Sequence, residues 1–197
     1  MTEASARTRL PLAFKGSRDY LQGGDIFNAL ADLTGAREGI SLQMKKVMRH
    51  PLDAVSVPAG RPGGGFSAWF EYGGAGNRHC IGLLEDASSE VPGRMPYDED
   101  AVIAGAHLSE ARIESPGPGV ATFIERVIAL NKVLLNARFA PQKLKWWFTR
   151  LELEMLPAAP RSIALTLAAS VGARLTKSII EVDGVPCGHI YFSRDRK

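Results

Sequence analysis

The residues best suited to chemistry in the first part of the chain occur close together. Arg18 and Tyr20 precede the glycine pair Gly23-Gly24, and Asp25 follows that pair directly. Glycine backbone can approach a carbonyl oxygen closely, and its N–H groups then stabilise negative charge on that oxygen as an oxyanion hole does. Two alternatives stay open: the glycines only make a turn, and Asp25 only caps the helix that begins there.

Two further candidates lie in the second part of the chain. His107 is predicted to end the strand before a long helix, where it could face a cleft between the two halves of the chain as a general base; the alternative is an ordinary hydrogen bond. Asn131 lies within the apolar arc of that helix. Because a buried amide without a hydrogen bond is costly, Asn131 needs a partner, which is a strand carbonyl, a buried water or a ligand.

The remaining histidines and the two cysteines predict no metal site. His50, His79 and His189 share no metal-ligand spacing with cysteines or carboxylates. Cys80 and Cys187 form neither a disulfide framework nor a metal set, and we expect both to be packed strand residues. The sequence therefore predicts neither a metal nor a cofactor.

The charge balance argues against nucleic acid as a partner. The 197 residues include 24 basic and 21 acidic side chains, for a net charge of +3, which is a weak bias. Basic and aromatic residues do alternate from Lys143 to Arg150, as in single-strand binding sites, but only one face of a strand could present the rings. The first residues lack the apolar core of a signal peptide, so we expect a cytoplasmic protein without a membrane segment.

The element that must organise the second half is a helix predicted over residues 120–139. Its apolar residues cover far more of the circumference than the narrow stripe of a surface helix, which predicts burial on more than one side. The apolar arc consists of Phe123, Ile124, Val127, Ile128, Leu130, Leu134, Leu135 and Phe139. The polar remainder consists of Thr122, Glu125, Arg126, Lys132 and Asn136.

The order of predicted elements repeats along the chain. A shorter helix is predicted over residues 25–34, and each helix follows one strand and precedes four, giving the order β-α-β-β-β-β twice. The predicted strands are 10–16, 39–49, 52–57, 66–72 and 79–86, then 102–109, 144–156, 162–171, 174–182 and 185–193. Asp183-Gly184 is a strong hairpin signal between the last two. We predict an N-terminal unit over residues 8–86, a polar linker over 87–100 and a C-terminal unit over 101–197.

An antiparallel sheet that curls around one long helix, with the helix after the first strand, resembles the hotdog fold. Two copies in one chain resemble a double-hotdog protein, an α+β arrangement of two tandem units. The opening Pro118-Gly119-Val120 and the nearby Glu125 are similar to the start of the central helix in hotdog dehydratases. The histidine that precedes that motif in dehydratases is absent here.

This resemblance implies a protein that binds acyl thioesters, on coenzyme A or on an acyl carrier protein, with a site at the seam between the two units. It implies a thioesterase- or dehydratase-like activity in which Asp25, at the start of the first helix, acts as base or nucleophile. A homodimer of such chains would be the natural assembly. The alternative is a non-catalytic hotdog protein that binds an acyl ligand or a partner protein.

Overall fold

The computed structural model describes residues 7–60, 63–140, 145–172 and 174–194. Contacts within the chain divide it into two compact units, Met1–Tyr97 and Asp98–Lys197. The boundary therefore falls inside the segment 87–100 that we expected to be a linker. The domain limits 8–86 and 101–197 stay a prediction. Lys143, the first residue of the basic and aromatic run, lies outside the described residues.

The first unit contains one long helix and a five-stranded antiparallel sheet in its described part. Along the chain its elements are β1 (Arg7–Arg9), β2 (Phe14–Lys15), α1 (Gly23–Thr34), β3 (Glu38–Met44), β4 (Leu52–Val57), β5 (Ala68–Tyr72), β6 (His79–Glu85) and β7 (Arg94–Met95). The sheet has the order β1-β4-β6-β5-β3, and β2 pairs separately with β7 in parallel.

Helix α1 ends as its sequence predicts and buries one face on this sheet. Gly35 adopts the left-handed conformation with φ of 67°, which glycine tolerates without the clash that a side chain would cause. Ile26, Phe27 and Leu30 are fully buried, and the ring of Phe27 meets the ring of Phe70 edge-on with centroids 5.7 Å apart. This contact fixes the start of α1 relative to β5.

The second unit has the longer helix and the longer strands. Its elements are α2 (Glu99–Ile103), β8 (His107–Leu108), β9 (Arg112–Pro116), α3 (Phe123–Arg138), β10 (Trp146–Met155), β11 (Ser162–Val171), β12 (Leu175–Val182) and β13 (Val185–Arg194). The strands form an antiparallel sheet in the order β8-β9-β11-β12-β13-β10. Helix α3 packs against β9, β10 and β11, and Asp183-Gly184 makes the predicted hairpin with both φ angles positive.

Both units contain a strand, a long helix and four strands in the predicted order, with further short elements before or after them, but the order of strands within the sheets differs. In the second unit β11, β12 and β13 lie side by side. In the first unit β6 lies between β4 and β5, so β3 pairs with β5. The two units are therefore similar in chain order and different in strand pairing.

Two predicted strands are wrong, each for a local reason. Helix α2 occupies the first two residues of the strand expected at 102–109. It forms there because the Asp98 side chain accepts a hydrogen bond from the Ala101 N–H and starts a helical turn. Only His107–Leu108 is extended there, and β9 is the strand that leads into α3. Of the strand expected at 10–16 only β2 is extended; β1 ends before it at Arg9, and Pro11, which has no N–H to donate, follows.

No helix among the described residues is long and apolar enough to cross a membrane.

Candidate functional site

The start of helix α1 lacks the side-chain cap that most helices have. The N-cap residue is Gln22, in an extended conformation, and its side chain makes no hydrogen bond to the first turn. The Gln22 Nε2 atom is buried and has no hydrogen-bond partner in the described part of the chain. Because the first N–H groups of a helix have no acceptor within the helix, the backbone of the Gly23-Gly24 turn offers donors that no cap side chain occupies.

Asp25 is the third residue of α1, so the prediction that it is the N-cap residue is wrong. The helix begins two residues earlier, because the glycine pair forms part of its first turn. The Asp25 carboxylate accepts a hydrogen bond of 2.6 Å from the Lys15 ammonium. The two side chains are only 16% and 13% exposed, so this ion pair is largely removed from solvent.

The loop before α1 is held by residues from the segment that we expected to be a linker. Arg94 Nη1 donates to the carbonyls of Gly16 and Arg18, at 2.6 and 2.7 Å. The guanidinium of Arg18 lies 4.9 Å from the centre of the Tyr97 ring, and the Lys15 ammonium lies 5.4 Å from the same centre. Both distances are within the range of cation–π attraction.

These contacts assemble one site from two distant parts of the sequence. Arg18, Gly23, Gly24 and Asp25 are the predicted residues that it contains, and Tyr20 lies half-buried in the same loop. Lys15, Arg94 and Tyr97 were missed. Lys15 could have been suspected from its position near Asp25, whereas nothing local to Arg94 or Tyr97 indicates that they fold back onto this loop.

The two predicted residues of the second unit have different surroundings. His107 is exposed on the two-residue edge strand β8, in register with Glu114 of β9. Asn131 is 0% exposed in the middle of α3. Neither its Oδ1 nor its Nδ2 has a hydrogen-bond partner in the part of the chain that the structure describes. The expected strand carbonyl is therefore not found within that part.

The cysteines have the character of packed strand residues. Burial raises the pKa of Cys80 to about 11, and burial together with the charge of Glu154 raises the pKa of Cys187 to about 11. A thiol with such a pKa is rarely a thiolate at neutral pH, and the thiolate is the nucleophilic form. Among the described residues, no three His, Cys, Asp or Glu side chains are grouped as metal ligands would be.

A surface cleft of about 450 Å³ lies elsewhere in the first unit. Its lining includes Asp53 and Asp86, both bound to Arg9. Asp86 also accepts from the hydroxyls of Ser88 and Ser89, and these bonds and the one from Arg9 lower the pKa of Asp86. The cleft contains none of the candidate residues, and its acidic groups are already engaged.

No protein-family model matches this chain, and no curated protein matches it in sequence. Solved structures do match. An acyl-ACP thioesterase from Bacteroides thetaiotaomicron is 7% identical over 96% of this chain and 97% of its own, with a TM-score of 0.50. The tesB protein of Mycobacterium avium subsp. paratuberculosis is 11% identical over 94% and 91%, also at 0.50.

A third match is a Thermobifida fusca protein assigned as a thioesterase II, 12% identical over 97% of this chain and 93% of its own, with a TM-score of 0.50. At such low identity these likenesses concern the fold alone. In each unit of the present chain one long helix packs on an antiparallel sheet. The predicted class is thereby confirmed: the chain is an α+β protein with the hotdog fold.

Proposed function

We propose that the protein binds acyl thioesters, carried on coenzyme A or on an acyl carrier protein, and hydrolyses them at the start of α1. The observation that carries this proposal is the largely buried Lys15–Asp25 pair beside an uncapped helix start. A carboxylate next to backbone N–H groups that no N-cap side chain occupies is a combination suited to acyl transfer to water.

The proposed reaction uses Asp25 as general base. Its carboxylate takes a proton from a water molecule while the water oxygen forms a bond to the thioester carbonyl carbon. The negative charge that develops on the carbonyl oxygen is stabilised by N–H groups of the Gly23-Gly24 turn. The carbon–sulfur bond then breaks, the acid is released, and the thiolate leaves and takes up a proton.

The positive charges around the loop suit the carrier of the acyl group. Lys15, Arg18 and Arg94 lie in or against this loop and outnumber the carboxylates of Asp19 and Asp25. Such a surface attracts phosphates, as in coenzyme A or the phosphopantetheine arm, and the acidic surface of a carrier protein. Two of the similar structures are named as thioesterases, which makes acyl thioesters the first substrates to assay.

The second unit contributes two further proposed roles. Asn131 is proposed to bind a polar group of the ligand, since its buried amide has no partner in the described chain. His107 keeps its predicted role as a general base, in particular for the addition or removal of water in a dehydratase-like reaction. A His107→Gln variant assayed for both reactions measures that contribution.

The alternative function is binding without turnover. One observation favours it: Oδ1 of Asp25 already accepts a short hydrogen bond from Lys15 before any ligand arrives. In that case the pair would position the loop, and the acyl ligand or partner protein would be held and not converted.

An assay of acyl-CoA and acyl carrier protein thioesters of several chain lengths tests the proposal. We expect release of free thiol, and an Asp25→Asn variant that is slower by about 100- to 10,000-fold. Asp32→Asn is the matched control, because Asp32 is an exposed carboxylate on the same helix; its rate should equal that of the unchanged protein. Hydration without thiol release would instead identify a hydro-lyase.

Ligand-induced stabilisation separates the two functions. A thioester that binds only the folded protein raises its melting temperature by mass action. A raised melting temperature without turnover supports the binding alternative. If no thioester of the panel raises the melting temperature or is turned over, both functions are contradicted.

Location and assembly also belong to the proposal. We expect the protein in the cytoplasm and as a homodimer. Cell fractionation and native mass spectrometry measure these two properties directly.

A further inference from the structure

Helix α3 buries a positive charge within its apolar surroundings. Arg126 is only 2% exposed, and the helix residues from Ile124 to Asn131 are all buried. The sequence places Arg126 in the polar remainder of the helix, and that expectation is wrong because α3 is covered on nearly its whole circumference in this stretch. A guanidinium in such surroundings needs a defined set of partners.

The hydrogen bonds of Arg126 come from one end of the guanidinium. Its Nη2 donates to the Ser115 hydroxyl at 3.0 Å and to the Ser115 carbonyl at 3.4 Å. Its Nε is buried and has no partner within the described chain. Arginine has five N–H donors, so most of the hydrogen-bonding capacity of this side chain is not used by the described residues.

The carboxylates nearest to Arg126 along these elements are directed to other groups. Glu125 Oε2 accepts from the backbone N–H and the hydroxyl of Thr122. Glu114 of β9 lies 3.9 Å from Arg112. No described carboxylate forms an ion pair with Arg126, although a buried charge without a counter-charge is strongly unfavourable.

Burial lowers the pKa of Arg126 from its ordinary value. Arginine nevertheless stays protonated in proteins. The buried group is therefore a cation, and a negative partner would relieve its desolvation.

The cover over this cation is thin. The backbone of Gly119 lies against Arg126, and an added Cβ there would be 2.6 Å from both Cδ and Nε. The next side chain, Val120, is 82% exposed. The exposed backbone of Gly119 thus lies against the buried Arg126 side chain, and a ligand would reach Nε by displacing it.

We propose that Arg126 and Ser115 form a binding site for the oxyanion of a ligand, a carboxylate or a phosphate. The guanidinium would donate from its unused N–H groups to two oxygens of the anion, a geometry that arginine favours. The Ser115 hydroxyl accepts from Nη2 and can donate its own proton to the same anion. This site lies in the second unit and does not depend on Asp25 or on thioester hydrolysis.

Calorimetric titration with sodium succinate and, separately, with sodium phosphate tests the site at pH 7 and constant ionic strength. We expect the protein to bind at least one of the two, and the pair of titrations tells carboxylate from phosphate. Arg126→Gln should weaken binding by about 10- to 100-fold, since hydrogen bonds to charged groups contribute about 1.5–3 kcal/mol. Arg138→Gln, an exposed arginine on the same helix, should leave the dissociation constant unchanged.

A second variant keeps the test decisive if Arg126→Gln folds poorly, and a melting temperature gives a further readout. Ser115→Ala removes one contact and should weaken binding by about 3- to 10-fold. The melting temperature of Arg126→Gln without ligand should be equal to or above that of the unchanged protein, whereas an arginine with a purely structural role would lower it. No binding of either anion, or binding that Ser115→Ala and Arg126→Gln leave intact, overturns the proposal.

Discussion

The two long helices begin in opposite ways. At α3, Thr122 and Glu125 form a capping box: the Thr122 hydroxyl accepts from the Glu125 N–H, and Glu125 Oε2 accepts from the Thr122 N–H at 3.0 Å. At α1, Gln22 makes no such bond. One helix start is thus closed by its own side chains and the other keeps donors for something else. Departures from local rules of this kind are expected at functional sites.

The charged side chains near the two helix starts are also opposite in sign. Helix α1 carries a carboxylate that is paired with Lys15. Helix α3 carries the guanidinium of Arg126, for which the described residues supply hydrogen bonds but no carboxylate. The described residues thus supply a counter-charge at α1 and none to Arg126 of α3, and the proposed anion would supply one there.

The largest effect is expected from breaking the pair at α1. Lys15→Met removes the ammonium and leaves the largely buried Asp25 carboxylate without it, so the free energy of unfolding should fall by about 2–4 kcal/mol. Lys132→Met is the control on α3, where the Lys132–Glu99 pair is more exposed and its loss should cost about 1 kcal/mol or less. Urea unfolding followed by circular dichroism measures both. Equal losses would remove the contrast between the helices.

Removal of the buried amide of Asn131 from α3 should raise the free energy of unfolding, whereas Lys15→Met lowers it. Asn131→Leu replaces a polar group that lacks partners in the described chain by an apolar group of similar size. We expect a gain of about 1–3 kcal/mol in the free energy of unfolding. Asn136→Leu, at an exposed position of the same helix, should change it by about 0.5 kcal/mol or less. A loss of stability in Asn131→Leu would mean that the amide has a stabilising partner.

The capping contrast itself can be measured directly. Thr122→Ala removes the closed cap of α3 and should lower the free energy of unfolding by about 1 kcal/mol. Gln22→Ala removes a side chain that caps nothing, so its effect should stay within about 0.5 kcal/mol. Thermal unfolding of the two variants compares them. If Gln22→Ala were as damaging as Thr122→Ala, the start of α1 would not be open.

The smallest effect concerns the response of the two units to acid. In the second unit, burial and the nearby Lys177 lower the pKa of His189 below 6.5. The unfolded chain then binds a proton at this site more readily than the folded one, so stability rises with pH. The contribution of His189 to the free energy of unfolding is complete above about pH 6.5. It is lost as the pH falls through the lower pKa that His189 has in the folded protein.

Glu85 in the first unit should respond at lower pH. Burial by itself raises the pKa of Glu85, but hydrogen bonds from Lys46 and from the N–H groups of Arg49 and His50 bring it below 4.5. The contribution of Glu85 to the free energy of unfolding is complete above about pH 4.5 and is lost as the pH falls further. Unfolding free energies from pH 8 to pH 3 should show two windows. His189→Gln should remove the upper one, and Glu85→Gln should reduce the lower one, to which Asp86 also contributes; a single window in all three proteins contradicts this difference.

The sequence predicts elements where the signal is local. The apolar arc of α3, the left-handed Gly35 at the end of α1 and the Asp183-Gly184 hairpin are each set by residues within a few positions of one another, and the structure contains all three. The short helix α2 was missed because it depends on one cap, Asp98, in a segment without periodicity. Strand order in the first unit was not predictable, since periodicity carries no information on which strands pair.

The candidate site was predictable only in part, for the same reason. Asp25 and the glycine pair are adjacent in sequence, and their position at a helix start follows from local rules. The approach of Arg94 and Tyr97 to the loop depends on tertiary folding. Arg126 was misassigned because a charged residue is normally placed on the solvent side of a helix, and here the helix has almost no solvent side in that stretch.

The difference in strand order has a consequence for how the chain folds. Strands β11, β12 and β13 pair with their neighbours along the chain, so they can form a meander from local contacts. In the first unit the pairings β3 with β5 and β4 with β6 each close a long loop, and such non-local pairing slows folding. The second unit also needs two such closures, β9 with β11 and β10 with β13. In both units the non-local pairs are therefore expected to complete the sheet last, and the strands that await them are the part of the nascent chain most exposed to aggregation.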